Sequence, residues 1–313
     1  MLYNKDNFDL KIMDINTIKQ RAKAFDYLFD AVVVTDLMGI ITDWNEGSKL
    51  LYGYSKEEVL GQPVSILHVP EDSSRITAEV ISAVEKFGKW TGEIRMLHKD
   101  GSIGWIESMC VPIFDDDEQV IGALGINRDI TARKKESERL NFLAHFDQLT
   151  KVANRRLLLD RISHLIEQSV RNKNSFALLY IDLDKFKIIN DTKGHAFGDQ
   201  VLVETASRLK QSIRGSDTVA RIGGDEFVLL LENMSNKDNV LAMANVLIKT
   251  LKKPFAINNE AFQVNCSIGI AMYPDDGKTT DRLLAVADKA MYEEKYKKQE
   301  TYDEGVLNHQ RLK

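Results

Sequence analysis

Only two cysteines, Cys110 and Cys266, occur in 313 residues. They lie far apart, show no metal-ligand spacing and sit in apolar strand-like runs. This argues against a disulfide scaffold and fits a reducing cytoplasm. With 5 prolines and 18 glycines, the chain is neither fibrous nor dominated by disordered linkers. Basic charge is not in excess: 42 Lys and Arg stand against 47 Asp and Glu, a net charge of −5. No general attraction for nucleic acid or an anionic membrane is expected, and any phosphate-binding lysines must be local. No apolar run approaches the ~20 residues that span a bilayer. The start of the chain carries Asp6 and Asp9 rather than a basic segment leading into an apolar one. What is present is 43% hydrophobic sequence, enough for about two packed domains, expected in the cytoplasm with no membrane partner.

Residues 25–129 read as short strands with short helices between them. The β-branched runs 31–35 and 39–42 flank a turn at Asp36 to Gly39, and 96–98 with 102–107 flank Lys99-Asp100-Gly101, so both are expected hairpins. Ser55 with Glu58 forms a capping-box pattern before a short helix that Gly61 and Pro63 stop. Residues 120–127 read as a last strand. Residues 130–141 are dense in Arg, Lys, Glu and Ser without Gly or Pro, the pattern of an exposed connecting helix. Beyond Asp147, strands are expected at 176–183, 219–222, 226–231 and 262–272. Helices are expected over 201–213, 239–251 and 280–297. The fold class is α+β, with helices on a largely antiparallel sheet.

Gly223-Gly224 between two strand runs is a two-residue hairpin signal with positive φ expected at both glycines. Asp225 and Glu226 follow at once, and adjacent acids opening an apolar strand call for a cationic partner. A second pair, Asp182 and Asp184, ends the apolar strand 176–181, with both side chains on one face. Oxygen-only donors without His or Cys suit Mg²⁺ rather than zinc. Taken singly, each acid is better explained by solvation of a strand end; two clusters at two strand ends favour a site.

Arg221-Ile222-Gly223-Gly224-Asp225-Glu226-Phe227 resembles the GGDEF signature of diguanylate cyclases. Asp182-Leu183-Asp184-Lys185-Phe186-Lys187-Ile188-Ile189-Asn190-Asp191, with Gly194-His195 and Gly198-Asp199, resembles that family's other long motif. Asp147-Gln148-Leu149-Thr150 with Asn154-Arg155-Arg156 resembles its opening motif. The resemblance implies a nucleotidyl-cyclase-like domain that joins two GTP into cyclic di-GMP and releases pyrophosphate, chemistry that rests on positioning and charge stabilisation. It assigns the metal, Mg²⁺ or Mn²⁺, to Asp182, the Leu183 carbonyl and Asp225. Glu226 is either a further ligand or the base. It assigns guanine recognition to Asn190 and Asp199, and the triphosphate to Lys187, Lys295 and the backbone N–H groups of Lys185 and Phe186. Residues 288–292 resemble the segment that precedes that lysine. Two departures stand out. Lys151 and Ala153 replace the usual Gly and Pro, and Gln299 stands where a triphosphate-contacting arginine is common, with Lys297 or Lys298 available to compensate. Arg214-Gly215-Ser216-Asp217 matches in spacing the family's RxxD inhibitory site, which implies that Arg214 and Asp217 hold the product.

Upstream, Ile41-Thr42-Asp43-Trp44-Asn45, Tyr52-Gly53-Tyr54, Lys99-Asp100-Gly101, Trp105-Ile106-Glu107 and Arg128-Asp129-Ile130-Thr131 resemble PAS domains, an antiparallel sheet with short helices that senses ligands or light or dimerises. The PAS ligand is unknown. There is no photoadduct cysteine and no Cys-x-x-Cys-His for haem; His68 falls in a loop stretch, and Trp44 and Trp105 read as core. The expected organisation is an N-terminal segment (1–19), a PAS sensor (20–131), a linker signalling helix (132–146), a GGDEF domain (147–300) and a tail (301–313). Two reciprocal attacks on two GTP imply a homodimer. The alternative from another class is a catalytically inactive GGDEF domain acting as a cyclic di-GMP receptor or scaffold.

Overall fold

The computed structural model describes residues 5–257 and 260–311, with side-chain surroundings over 16–254, 256–257 and 261–298. The chain divides into two compact units, residues 1–138 and 139–313. In the first, helix α1 (Lys5–Asp26) leads into strands β1 (Ala31–Asp36) and β2 (Ile41–Trp44), helices α2 (Glu46–Tyr52) and α3 (Lys56–Val59), a 3-10 turn over Val64–Leu67 and helix α4 (Pro70–Phe87). Strands β3 (Trp90–Leu97), β4 (Ile103–Phe114) and β5 (Val120–Asp129) complete an antiparallel sheet of order β2-β1-β5-β4-β3. Both expected hairpins are present. The capping box also forms, with the Ser55 N–H donating to Glu58 Oε2 at 2.9 Å. Buried Asn45 ties sheet to helix: its Oδ1 accepts from Ser48 N at 2.8 Å and from Val32 N at 2.9 Å. It thereby caps α2 while holding β1. The core gathers Val33, Ile41, Trp44, Tyr52, Ile76, Met96 and Ile106.

Helix α5 (Thr131–His145) has no buried residue, as expected for a run so poor in apolar side chains, and the unit boundary falls within it. The second unit continues with α6 (Arg155–Asn172), β6 (Phe176–Leu183), α7 (Phe186–Lys193), α8 (His195–Gln211), β7 (Thr218–Gly223), β8 (Glu226–Leu231) and α9 (Lys237–Leu251). A small hairpin of β9 (Phe255–Ile257) and β10 (Glu260–Phe262) precedes β11 (Cys266–Tyr273) and α10 (Thr280–Arg311). The main sheet runs β11-β6-β8-β7, antiparallel throughout.

All eight residues of β6 are buried, because helices cover both faces of the sheet. Ala177, Leu179, Ile181 and Leu183 pack with Ile189, Val201, Leu209 and Leu247 from α7, α8 and α9. Phe176, Leu178 and Tyr180 pack with Leu158 and Ile162 of α6 and Leu283 and Met291 of α10. By the two-residue alternation, Asp182 joins the α10 face. At Gly269 of β11 a Cβ would lie 2.0 Å from the Ala287 carbonyl oxygen and 2.2 Å from Met291 N. Only glycine lets α10 approach that closely, and the next turn of α10 carries Lys295.

Three expectations need correction. The strand expected over 262–272 is broken at 263–265, where the Asn265 carbonyl leaves the ladder to accept from Asp184 N at 2.9 Å. The helix expected to stop near Lys297 continues to Arg311; residues 301–313, expected as a tail, are helical as far as they are described. The hairpin turn is Gly224-Asp225 rather than Gly223-Gly224. The register pairs Gly223 with Glu226 after a bulge past Arg221, and of the two glycines only Gly224 has positive φ, 40°.

Candidate active site

The turn places Asp225 at the tip of the β7-β8 hairpin, and the sheet register sets Glu226 directly opposite Asp182. The hairpin is held from both sides. Arg221 Nε donates to the Gly224 carbonyl at 2.9 Å, and its Nη1 donates to Asp147 Oδ1 at 3.1 Å and Oδ2 at 3.3 Å. Asp147 in turn accepts from Thr150 N at 2.8 Å and Thr150 Oγ1 at 2.6 Å. Although burial opposes it, these donors and the Arg221 charge hold the Asp147 carboxyl below its ordinary value. Sequence reading quoted Asp147 and Arg221 in separate motifs; the structure joins them into one brace.

Lys295 Nζ donates to Asp182 Oδ1 at 2.6 Å. Burial raises the Asp182 carboxyl, and repulsion from Asp225 and Asp184 adds to that, against the pull of Lys295. Burial likewise raises Glu226, helped by Asp182, Asp288 and Asp225 and opposed by the Tyr180 hydroxyl. Burial would lower the Lys295 ammonium, but Asp182, Asp225 and Asp184 outweigh it and raise it. One ammonium therefore leaves negative charge uncompensated among partly desolvated carboxylates. Among the described residues no group of three His, Cys, Asp or Glu side chains is closed to ligating distance. The donor set of Asp182, Asp225, Glu226 and the Leu183 carbonyl is hard oxygen, and its charge deficit fits a divalent cation of the Mg²⁺ type.

Beside these acids opens a cavity of about 670 Å³, whose lining includes Asp184, Asp225 and the lysines 185, 187, 252, 295 and 298. Lys185 precedes α7 with φ 60° and ψ 25°, an uncommon conformation for a non-glycine residue. Asn190 and Asp199 do not line this cavity. They come from α7 and α8, which pack together, and Gly198 makes the contact possible: a Cβ there would lie 1.8 Å from Asn190 Oδ1. Lys252 was missed by sequence reading. It lies 43 residues before Lys295, outside every recognised motif, and only the turn of chain after α9 brings it to the cavity. The Gln299 side chain lies outside the described residues.

Arg214 and Asp217 border a separate cavity of about 460 Å³ with Glu232, Asn239 and Met243. The Asp217 carboxylate is engaged in shaping the turn, accepting from Arg214 N at 3.0 Å and Glu232 N at 3.1 Å. In the first unit a cavity of about 270 Å³ lies between sheet and helices, lined by Tyr52, His68, Ile76, Trp90, Ser108, Cys110 and Asn127 among others. The His68 Nδ1 atom is buried with no partner among the described residues. Burial lowers the imidazole pKa against the raising effect of Asp72.

The chain matches the family model "Diguanylate cyclase, GGDEF domain" over residues 144–301 and "PAS fold" over 41–127. It is 44% identical over 165 residues to the bifunctional diguanylate cyclase/cyclic di-GMP phosphodiesterase MucR of Pseudomonas aeruginosa, covering 53% of this chain and 24% of that protein. It is 28% identical over 296 residues to the probable diguanylate cyclase DgcE of Escherichia coli, covering 90% of this chain and 27% of that protein. The chain thus spans about a quarter of the length of these curated relatives. Among solved structures, a PAS domain from Colwellia psychrerythraea is 74% identical, covering 37% of this chain and 99% of that one, with TM-score 0.37. No helix among the described residues is long and apolar enough to cross a membrane. With its family model matched over half the chain, and a PAS domain ahead of it, this protein belongs to the PAS-containing GGDEF diguanylate cyclase family.

Proposed function

We propose that the second unit condenses two GTP molecules into cyclic di-GMP and two pyrophosphates. The observation that carries this reading is the pairing of an intact Asp182, Asp225 and Glu226 cluster with a lysine-lined cavity at the same strand ends. Asn190 and Asp199 select guanine, since a carboxylate accepts from the adjacent N1–H and N2–H donors that adenine lacks. Lys187, Lys295 and the N–H groups of Lys185 and Phe186 take the triphosphate and align its α-phosphorus. The 3′-oxygen of one GTP forms a bond to the α-phosphorus of the other while the α-phosphorus to bridging-oxygen bond breaks and pyrophosphate leaves. The hydroxyl proton passes to a carboxylate, and the raised Glu226 carboxyl suits that role. Asp182, the Leu183 carbonyl and Asp225 would hold the divalent cation, which when bound neutralises charge on the phosphates, with Glu226 either a further ligand or the base. With a cation held there, Lys295, now on Asp182, would be free to meet phosphate.

Each chain offers one such site, and ring closure needs two reciprocal attacks, so the active form is a homodimer. Product returns to Arg214 and Asp217, where the guanidinium takes phosphate and guanine edges, and limits further synthesis. The PAS unit governs activity through α5, which contains neither Gly nor Pro. Incubation of the chain with GTP and Mg²⁺ followed by nucleotide chromatography tests this reading; absence of cyclic di-GMP overturns it.

A further inference from the structure

The phosphate end of the cavity is built differently from what the motifs alone specify. Its lining carries five lysines, 185, 187, 252, 295 and 298, against two aspartates, 184 and 225. Lys295 is engaged by Asp182. Lys298 and Lys252 come from separate elements, and both line the cavity together with Cys266 at the start of β11. Lys298, one turn along α10 from Lys295, donates from Nζ to the Cys266 carbonyl at 2.9 Å and to Ser267 Oγ at 3.4 Å, with Glu294 at 3.4 Å. Lys252 is the residue just after α9, at its C-cap, and its charge is felt at the Cys266 thiol.

The position of Lys252 is not left to chance. Arg208 of α8 reaches across and donates to the carbonyls of Thr250 at 3.2 Å, Lys253, and Pro254 at 2.8 Å, so the chain leaving α9 is clamped where Lys252 borders the cavity. Among the described residues no carboxylate pairs with Lys252. Lys252 and Lys298 both line the cavity, and like charges bordering one cavity favour an anion between them.

We infer that Lys252 and Lys298 form a second cationic arm that receives the terminal phosphate of the bound nucleoside triphosphate. This rests on the cyclase reading above and adds to it which residues distinguish a triphosphate from shorter nucleotides. The arm favours a triphosphate over shorter nucleotides because it adds two ammonium charges to those of Lys187 and Lys295, and ammonium groups serve as point charges for phosphate without requiring the planar geometry of arginine.

The test uses the full chain and two readouts: initial rates with GTP, and calorimetric binding of inorganic tripolyphosphate. Lys252→Ala and Lys298→Gln should each raise the KM for GTP about tenfold while kcat stays within about twofold, and weaken tripolyphosphate binding by a similar factor. Lys252→Arg should retain most of the affinity. Lys253→Ala removes the same charge from the neighbouring position, which does not line the cavity, and should change neither readout. Wild-type KM and wild-type tripolyphosphate affinity in both variants overturn the inference, as does an equal loss in Lys253→Ala, which would mark a diffuse field rather than an arm. If the wild-type chain makes no cyclic di-GMP, the cyclase reading fails separately, and tripolyphosphate binding still decides the arm; no binding by the wild-type chain overturns it.

Discussion

Glu226→Gln should stabilise the cation-free protein at alkaline pH. Glu226 and Asp182 are cross-strand partners, a geometry that sets Cβ atoms ~5 Å apart. Two negative charges at about that distance repel by roughly 3 kcal/mol at an effective dielectric of ~20. Glu226 is only partly buried and Lys295 already sits on Asp182, so screening reduces the net relief to on the order of 1 kcal/mol. For a unit of this size that corresponds to a rise in Tm of about 2–4 °C. Burial first, and then the Asp182 charge, raise the folded-state pKa of Glu226, so the native state binds more protons than the unfolded chain between the ordinary glutamate value, about 4.3, and the raised value. Wild-type stability therefore falls as pH rises through that window, and the penalty is fully present above it. The amide that replaces the carboxylate carries no charge to penalise and still accepts from Tyr180, so the variant's advantage should be present at pH 8 in EDTA and fade towards pH 4. Adding Mg²⁺ should reverse the order, because the wild-type carboxylate gains a cation that the amide binds poorly. Calorimetry is the proper assay, since Trp44, Trp90 and Trp105 all lie in the first unit and tryptophan fluorescence would follow the wrong transition. A Glu226→Gln variant no more stable than wild type at pH 8, or equally stabilised at pH 4 and pH 8, would refute the claim that these carboxylates repel across the strand pair.

Asp199→Ala should weaken GTP binding and its preference over ATP by on the order of 1–3 kcal/mol, the cost of leaving guanine donors unpaired; competition binding with both nucleotides checks it, and unchanged selectivity removes Asp199 from base recognition. Arg214→Ala should leave initial rates similar while removing product inhibition, read by progress curves and by calorimetric titration with cyclic di-GMP; undiminished product binding moves the inhibitory site elsewhere. Inserting one residue near Lys135 in α5 turns whatever follows by about 100°, and inserting seven nearly restores the phase. Activity should fall with one and partly return with seven, whereas equal rates would reduce α5 to a tether.

Sequence patterns are most informative where chemistry and local conformation coincide. The strand from Phe176 to Leu183 is legible because a leucine- and aromatic-rich apolar run buried on both faces has few other uses, and the acids at its end stand out against it. The hairpin was legible in place but not in phase. Two glycines promise a type I′ turn, yet the bulge beyond Arg221 shifts the turn one residue on, and nothing local to Gly223-Gly224 reveals a bulge set by pairing with β8. The strand expected through 262–272 failed for a related reason: the Asn265 carbonyl is claimed by Asp184, a partner 81 residues earlier. The brace from Arg221 to Asp147 and the approach of Lys252 to the cavity are long-range contacts without a periodic signature. Gly269, unremarkable in sequence, sets how near α10 comes to the sheet and so where Lys295 stands.

The central claim is that the Asp182, Asp225 and Glu226 cluster makes this chain a cyclase rather than a receptor. Wild type and Asp225→Ala should each be incubated with GTP and Mg²⁺, with products separated by chromatography and both folds checked by circular dichroism. The account expects cyclic di-GMP with two pyrophosphates for each product molecule from wild type, and none from the folded variant, because a cation ligand and its charge stabilisation have been withdrawn. A wild-type chain that yields no cyclic di-GMP while still binding it, or an Asp225→Ala variant that turns over at the wild-type rate, would contradict it.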